Sequence, residues 1–411
     1  MDILAQLGSH AAWQQFYEYK VRGGHLTRDE EKDFQLFLEE KGYLGPMQSI
    51  AQGDAFAPPR KASISKMHSE KKRTVYIFPR EENYVLKFLT HLLQKKYDHL
   101  FTPNLYSFRP GTGVRDAIHA IVGHPDIGTF WGYKADIHNY FNTIPVNTLL
   151  PILDSTLSQD PAVLTFLKAL LMDDRADDKG TLIHEQKGIM AGVPVSTFLA
   201  NLYLSELDHR FHREGILYAR YSDDIILFAS TQKERDRYSS ELRQALADKG
   251  LSMNPKKELS FGPGQPWVFL GVSYEKGVID VAPASVEKLK AKMRRKCRAL
   301  RRWQARKNTT GENAAKAFIR TFNRKFFAND AVHELTWVRW YFPLINTSRS
   351  LQEIDRYSQD CIRYLVTGKR TKARYNCRYG DMKDLGYVSL VNSYYAHRRF
   401  SENSEETVDY S

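Results

Sequence analysis

The chain has little cysteine: Cys297, Cys361 and Cys377 are its three thiols in 411 residues, with no Cys-x-x-Cys spacing. An odd, scattered set excludes a disulfide framework and a zinc knuckle, and reads as reduced thiols of a cytosolic protein. No apolar run reaches the roughly 18 residues that span a bilayer. The start, Met1 to His10, carries Asp2 and no basic segment, so no secretory leader is expected. Internal repeats and low-complexity tracts are lacking, and only residues 401–411 read as a frayed acidic tail. These absences leave a cytoplasmic globular protein that does not engage a membrane. Its 42% hydrophobic and 12% aromatic content suffices for two or three packed units and excludes a disordered chain.

The charge is unevenly spread. Lys and Arg number 60 against 48 Asp and Glu, and residues 281–411 hold 27 basic and 13 acidic of these, leaving 33 and 35 for residues 1–280. A positive field confined to the last third suggests a polyanion held there and a different task elsewhere. A basic surface kept for solubility is the plainer alternative.

The first 60 residues read as helical, with Phe34, Leu36, Phe37 and Leu44 spaced for one buried face, and end in a breaker-rich stretch at 53–60. A basic segment, 61–73, runs into a short strand at 74–78 stopped by Pro79, and 82–100 returns to helical periodicity. Strands are expected at 129–137, 217–221, 225–228 and 267–274, and helices at 146–172, 195–213 and 233–249. The mixture indicates an α+β unit on an antiparallel sheet, followed by a mostly helical region after Gly277.

The strongest chemical signal is Tyr221-Ser222-Asp223-Asp224 between two apolar runs. Adjacent carboxylates at a hairpin tip repel and raise each other's pKa, and a divalent cation removes that cost; with few hard oxygen ligands, Mg²⁺ is the natural ion. Taken alone the pair also fits a solvated turn. Asp136, at the end of the apolar strand before His138-Asn139-Tyr140-Phe141, is a second carboxylate in a matching setting. Strands ending side by side would bring it against Asp223 and supply the carboxylates of two-metal phosphoryl transfer. Asp173, Asp174, Asp177 and Asp178 lack such an apolar frame and read as solvated acids in a turn between helix and strand.

The ordered series of Asp136 to Phe141, Gly188-Ile189-Met190-Ala191-Gly192-Val193-Pro194-Val195-Ser196, Tyr221-Ser222-Asp223-Asp224, Asn254-Pro255-Lys256-Lys257 and Phe269-Leu270-Gly271 resembles the palm motifs of reverse transcriptases. Upstream, Tyr106-Ser107-Phe108-Arg109-Pro110-Gly111 is similar to the fingers motif of group II intron reverse transcriptases and their bacterial relatives; Ala282-Pro283-Ala284-Ser285-Val286 resembles the start of their thumb. The resemblance runs from about residue 60 to 370. It implies a right-hand polymerase of α+β class: an N-terminal helical extension (1–60), fingers (61–128), a palm with fingers insertions (129–280), a helical thumb (281–375) and a C-terminal appendage (376–411).

The resemblance also implies roles. Asp136, Asp223 and Asp224, with the Ile137 carbonyl, would ligate two Mg²⁺ ions, one sharpening a primer 3′-hydroxyl and one neutralising the leaving pyrophosphate. Phe141 corresponds to a steric gate that favours dNTPs over ribonucleotides. Lys66, Arg73 and Arg109 would grip the triphosphate, as charge-assisted bonds to phosphate suit, although Arg109 equally suits holding its turn. Lys257 corresponds to a lysine that protonates pyrophosphate, or is a solvated lysine. Ala191 stands where many relatives have glutamine and Thr197 where they have proline; Ala191 and Gly192 would back the nucleotide with one polar contact fewer and relaxed fidelity. Phe269, Leu270 and Gly271 correspond to the primer grip.

Residues 285–307 hold 11 basic residues against Glu287, with Val286, Leu289, Met293, Leu300 and Trp303 near one helical stripe and Cys297 beside it. Such a helix docks by its apolar face and grips a duplex backbone by Arg294, Arg295, Arg301 and Arg302. Beyond it, aromatics interleave with Arg356, Arg363, Lys369, Arg370, Lys372 and Arg374, a pattern suited to structured RNA. Neither an endonuclease metal cluster nor an RNase H carboxylate set follows. The expectation is a standalone reverse transcriptase that copies a dedicated noncoding RNA into cDNA, in the manner of defence-associated enzymes acting against phage. The alternatives are an intron maturase, a diversity-generating retroelement polymerase, or a noncatalytic RNA-binding protein on the same scaffold.

Overall fold

In the computed structural model, which describes residues 2–23, 26–65, 72–327, 336–369 and 376–406, the described residues form eleven strands. These are β1 (Arg60–Ser65), β2 (Lys72–Ile77), β3 (Trp131–Asp136), β4 (Arg175–Asp178), β5 (Thr181–His184), β6 (Leu217–Tyr221), β7 (Asp224–Ala229), β8 (Leu259–Phe261), β9 (Trp267–Phe269), β10 (Val272–Glu275) and β11 (Val278–Val281). The chain divides after Gln265 into two compact units.

The first unit opens with helices Ile3–Gly8, His10–Gly23, Arg28–Glu39 and Leu44–Gln52. Their aromatic positions meet in one core, where Trp13 lies 4.6 Å from Phe88 and 5.3 Å from Phe37 between ring centroids, and its indole N–H donates to the Leu7 carbonyl at 2.8 Å. Thr27 starts the third helix with a reciprocal capping box to Glu30, satisfying two otherwise orphaned N–H groups. Two sheets follow. One has strand order β2-β1-β4-β5; the other, β6-β7-β3-β8, is antiparallel throughout and buries most of its residues.

Several elements differ from expectation for visible reasons. The helix expected over 146–172 is two, Val146–Thr156 and Pro161–Met172, because Pro161 has no N–H to give and restricts Asp160, which takes φ −127° and ψ 63°. The helix expected over 195–213 breaks at Leu204, separating an almost wholly buried segment, Ser196–Tyr203, from an amphipathic one, Ser205–Arg213. The acids at 173–178 lie on a hairpin rather than in a turn. Arg175–Asp178 pairs with Thr181–His184 around Lys179 and Gly180, Asp173 accepts from Arg175 at 2.9 Å, and Asp174 meets His184 at 2.8 Å.

In the second unit, the strand expected at 267–274 is a hairpin, β9 and β10, extended by β11. Leu270 and Gly271 both take positive φ, 48° and 84°, the pattern of a type I′ turn. The basic helix Pro283–Lys307 buries Val286, Leu289, Met293, Cys297 and Leu300, while Trp303 is half-buried. It packs on Gly311–Phe326 and Arg349–Thr367. The last helix, Leu390–Glu406, extends into the segment expected to fray. Its start is held by buried Asp355, which accepts from the Tyr387 hydroxyl (2.8 Å), the Ser389 hydroxyl (2.6 Å) and the N–H groups of Leu390 (3.0 Å) and Val391 (3.1 Å).

Candidate functional site

The site is built at one end of the sheet β6-β7-β3-β8. Apolar β6 and β7 are joined by the two-residue turn Ser222-Asp223, with Ser222 at φ 60°, so Asp223 sits at the tip and Asp224 begins the returning strand. The register places Asp136 opposite Asp224, and the Ile137 N–H donates to the Asp223 carbonyl at 2.9 Å. The sequence had suggested Asp136 against Asp223. The ladder shifts the partner by one because Asp223 is a turn residue and only Asp224 is in the strand.

Three carboxylates thus share one strand end. Burial, and then the charge of Asp136, pushes Asp223 above the ordinary carboxylate range; burial, and then the charge of Asp223, pushes Asp224 up to about 6, against the opposing pull of Lys134. Lys257 forms an ion pair with Asp136, and the Asn254 N–H donates to the Asp136 carbonyl at 2.8 Å. Burial lowers the Lys257 ammonium, but its bond to Asp136 leaves it raised. Among the described residues no group of three metal-ligating side chains stands ready-made for an ion. The donor set nevertheless fits a hard divalent cation: it is all oxygen, half-desolvated and self-repelling, and one member already holds a cationic ammonium.

Around these acids the remaining positions sort clearly. Phe141 is buried, edge-on to Phe108 at 6.3 Å, with the Arg73 guanidinium 5.8 Å from its ring centroid. The loop through Ala191 and Gly192 is strapped to β2: the Tyr76 N–H donates to the Ala191 carbonyl at 2.8 Å, and the Ala191 N–H donates to the Asn142 side chain at 2.9 Å. Gly192 takes φ 98°, where a side chain would be strained, and a Cβ there would also be crowded at 3.1 Å from Val75 and 3.2 Å from the Tyr76 carbonyl oxygen. Arg109 donates to Asp98 (2.8 and 3.0 Å) and to the carbonyls of Thr102 (2.7 Å) and Leu105 (3.1 Å); its guanidinium holds the turn, the second of its two readings. Lys66, Arg370, Lys372 and Arg374 lie outside the described residues.

In the second unit, Phe269 is fully buried and Leu270 and Gly271 form the hairpin turn described above. On the basic helix, Arg295 and Arg302 are exposed, whereas Arg294 donates to the Tyr357 hydroxyl at 3.2 Å and Arg301 lies 5.3 Å from the Tyr364 ring centroid.

Sequence reasoning missed the support behind the hairpin. Arg220 is fully buried and its guanidinium is forked onto Asp208, with Nε at 2.9 and 3.2 Å from the two carboxylate oxygens; it also donates to the carbonyls of Asn201 (3.2 Å) and Ser222 (3.4 Å). Burial alone would lower Arg220, but Asp208 holds it above its ordinary range. The Ser222 N–H donates to Ser107 Oγ at 2.8 Å, and Asn201 binds Ser107 on both sides. The available signal was an arginine in an otherwise apolar strand, Leu217-Tyr218-Ala219-Arg220-Tyr221, which requires a buried acid.

The chain is similar to several known proteins. Against curated proteins, the chain is 29% identical over 153 residues to an "uncharacterized 91 kDa protein in cob intron" of Schizosaccharomyces pombe (37% of this chain, 18% of that one). It is 25% identical over 174 residues to the retron Ec86 reverse transcriptase of Escherichia coli (41% and 50%), and 28% identical over 153 residues to a putative COX1/OXI3 intron 2 protein of Saccharomyces cerevisiae (37% and 18%). The chain therefore spans half or less of the length of these relatives. Among solved structures, telomerase of Candida albicans with a fragment of telomeric RNA matches at TM-score 0.46 and 12% identity, over 85% of this chain and 65% of that one. Apo telomerase of Candida tropicalis matches at 0.44 and 12%, over 60% of each. Residues 66–274, half of the chain, match the family described as reverse transcriptase (RNA-dependent DNA polymerase), and the chain belongs to that family.

Proposed function

We propose that the chain copies an RNA template into DNA by two-metal nucleotidyl transfer, with the sheet β6-β7-β3-β8 as a palm, β2-β1-β4-β5 as part of the fingers, and the helices after β11 as a thumb. The observation that carries the reading is the gathering of Asp136, Asp223 and Asp224 at one strand end, where burial and mutual charge oppose ionisation of the last two. Two Mg²⁺ ions would supply an activated 3′-hydroxyl and a counter-charge for the leaving pyrophosphate. The three aspartates and the Ile137 carbonyl would hold them. Lys257, already among the carboxylates, is the proton donor we assign to pyrophosphate. Arg73, with Lys66, grips the triphosphate; Phe141 blocks a 2′-hydroxyl; Ala191 and Gly192 form the wall behind the base. Phe269, Leu270 and Gly271 hold the primer, and Arg294, Arg295, Arg301 and Arg302 track the duplex. Arg109 is assigned to its loop.

Dideoxy-terminable dNTP incorporation on a primed RNA, dependent on Mg²⁺, is the expected activity. Asp223→Ala with Asp224→Ala should abolish it while leaving the melting temperature unchanged or higher, since two repelling buried acids are removed. Synthesis by that variant would overturn the site; RNA binding without incorporation by the unaltered chain would favour a noncatalytic scaffold.

The finer reading adds a dedicated structured noncoding RNA as template, cDNA as product and a role in antiphage defence. The likeness to the retron Ec86 reverse transcriptase supports reverse transcription itself, and the template and the defence role are our proposal. The likeness to two intron-encoded proteins favours a second reading, an intron maturase. Sequencing the RNA and cDNA that copurify separates them: one short noncoding RNA with its complement for the first, an intron for the second.

A further inference from the structure

The loop from Gly188 to Gly192, the wall of the proposed nucleotide pocket, follows a path that belongs to no regular element. Gly188, Met190 and Gly192 take positive φ of 55°, 62° and 98°, so its N–H and C=O groups leave any ladder and must find partners elsewhere. The Ile189 N–H donates to the Phe141 carbonyl at 2.8 Å, the Ala191 carbonyl accepts from the Tyr76 N–H at 2.8 Å, and the Ser196 hydroxyl donates to the Met190 carbonyl at 2.9 Å. Gly188 lies so close to the backbone of Phe141 and Asn142 that a Cβ would come within 2.5 Å of the Phe141 carbonyl oxygen.

The Ala191 N–H is taken by a side chain 49 residues away: it donates to Asn142 Oδ1 at 2.9 Å. The other end of the same amide is also used, since Asn142 Nδ2 donates to the Thr74 carbonyl at 3.3 Å. One half-buried amide therefore joins three segments: the short helix Tyr140–Thr143, strand β2 and the wall loop. Each attachment lies at or beside a position assigned to the nucleotide. Asn142 follows Phe141, Thr74 follows Arg73, and Ala191 is itself in the wall. The Arg73 guanidinium lies 5.8 Å from the Phe141 ring centroid, so gate and grip are neighbours as well. The Ala191 N–H needs an acceptor and the Thr74 carbonyl a donor, and a carboxamide offers both without a charge. A carboxylate would set a lone pair against the Thr74 carbonyl, and an apolar side chain would leave both backbone groups unpaired.

We propose that Asn142 is a positioning residue for nucleotide selection: by tying the wall loop and β2 to the segment that carries Phe141, it sets how strongly the site prefers deoxynucleotides to ribonucleotides. It acts through Phe141, Ala191 and Arg73 rather than on the reacting atoms. Without the amide the gate and β2 lose this tie, and a 2′-hydroxyl gains room. This role rests on the reading of the chain as a reverse transcriptase, whereas the tie itself rests on the two hydrogen bonds.

The full chain, with Mg²⁺ and a primed RNA template, is assayed for incorporation of one dNTP and of the matching ribonucleotide. Asn142→Ala should raise the KM for dNTP about fivefold or more, leave kcat within about twofold, and lower the ratio of kcat/KM for dNTP over ribonucleotide about tenfold. Asn142→Asp keeps the acceptor for Ala191 and loses the donor to Thr74; its ratio should fall between, and it carries the comparison if the alanine variant does not fold. The ratio does not depend on the fraction of folded enzyme, so a variant that is only less stable leaves it unmoved. Hydrogen exchange read by mass spectrometry, which needs no turnover, should quicken in Asn142→Ala in the peptide that holds the Ala191 amide. An unmoved ratio in these variants would overturn the proposal, as would a fall in kcat with KM and ratio unchanged, or unaltered exchange at Ala191. Incorporation by the unaltered chain with an unmoved ratio in the variants removes this role alone; no incorporation by the unaltered chain removes the catalytic reading and this role together.

Discussion

Arg220 and Asp208 are a buried ion pair placed directly behind the Asp223-Asp224 hairpin. Breaking such a pair leaves an uncompensated charge in a desolvated setting, so Arg220→Met or Asp208→Leu alone should cost about 3–5 kcal/mol, and the double substitution should recover part of it. Urea titration of the four proteins measures the cycle. His91 supplies a pH dependence: burial and two lysines hold its folded pKa at about 4, below its ordinary 6.5. The unfolded chain therefore takes up a proton near pH 6.5 and the folded one only near pH 4. The stabilising contribution is complete above 6.5 and is lost as pH falls towards 4. The melting temperature of His91→Gln, compared with the unaltered chain from pH 7 to 4, should fall less steeply. Residues such as Asp223 and Asp224 are legible in sequence because adjacent acids between apolar runs are rare and costly. Arg220 and His91 were not, because their chemistry depends on partners 12 and about 70 residues away.

Elements were legible where period and length agreed. The strands at 217–221 and 224–229 follow from their apolar runs, and the helix Gln232–Asp248 from its period, with a Thr231 capping box found at its start in the structure. Breaks were less legible. Pro161 could have divided the long helix on local grounds alone, whereas the turn at Leu270 and Gly271 lacks the usual Asn-Gly signal and arises because β10 finds partners on both sides. The C-terminal helix depends on one acid: Asp355→Ala would strip the acceptor from two hydroxyls and two N–H groups, a loss of about 1–3 kcal/mol or more. Trypsin cleavage within Leu390–Glu406, measured by mass spectrometry under native conditions, should accelerate accordingly.

For the molecule as a whole, charge was the first clue. The surplus in residues 281–411 falls largely on one helix, where part of it is internally occupied: Lys290 meets Glu287 and Glu353, and Arg301 stacks on Tyr364. Arg295 and Arg302 remain exposed. Their joint replacement by Gln should lower the salt slope of binding to an RNA–DNA duplex by about 1 to 2 and leave the urea midpoint of the protein unchanged.

The sequence by itself determined the family-bearing order of motifs, the acidic character of the candidate centre and the side of the chain on which positive charge accumulates, because each is a local pattern of residue types. Only the tertiary structure decided that Asp136 faces Asp224, that Lys257 sits on Asp136, and that Arg109 is consumed by its own loop. Those depend on strand register and helix packing, which join residues far apart in the chain and are set by the burial of many side chains at once rather than by any one motif.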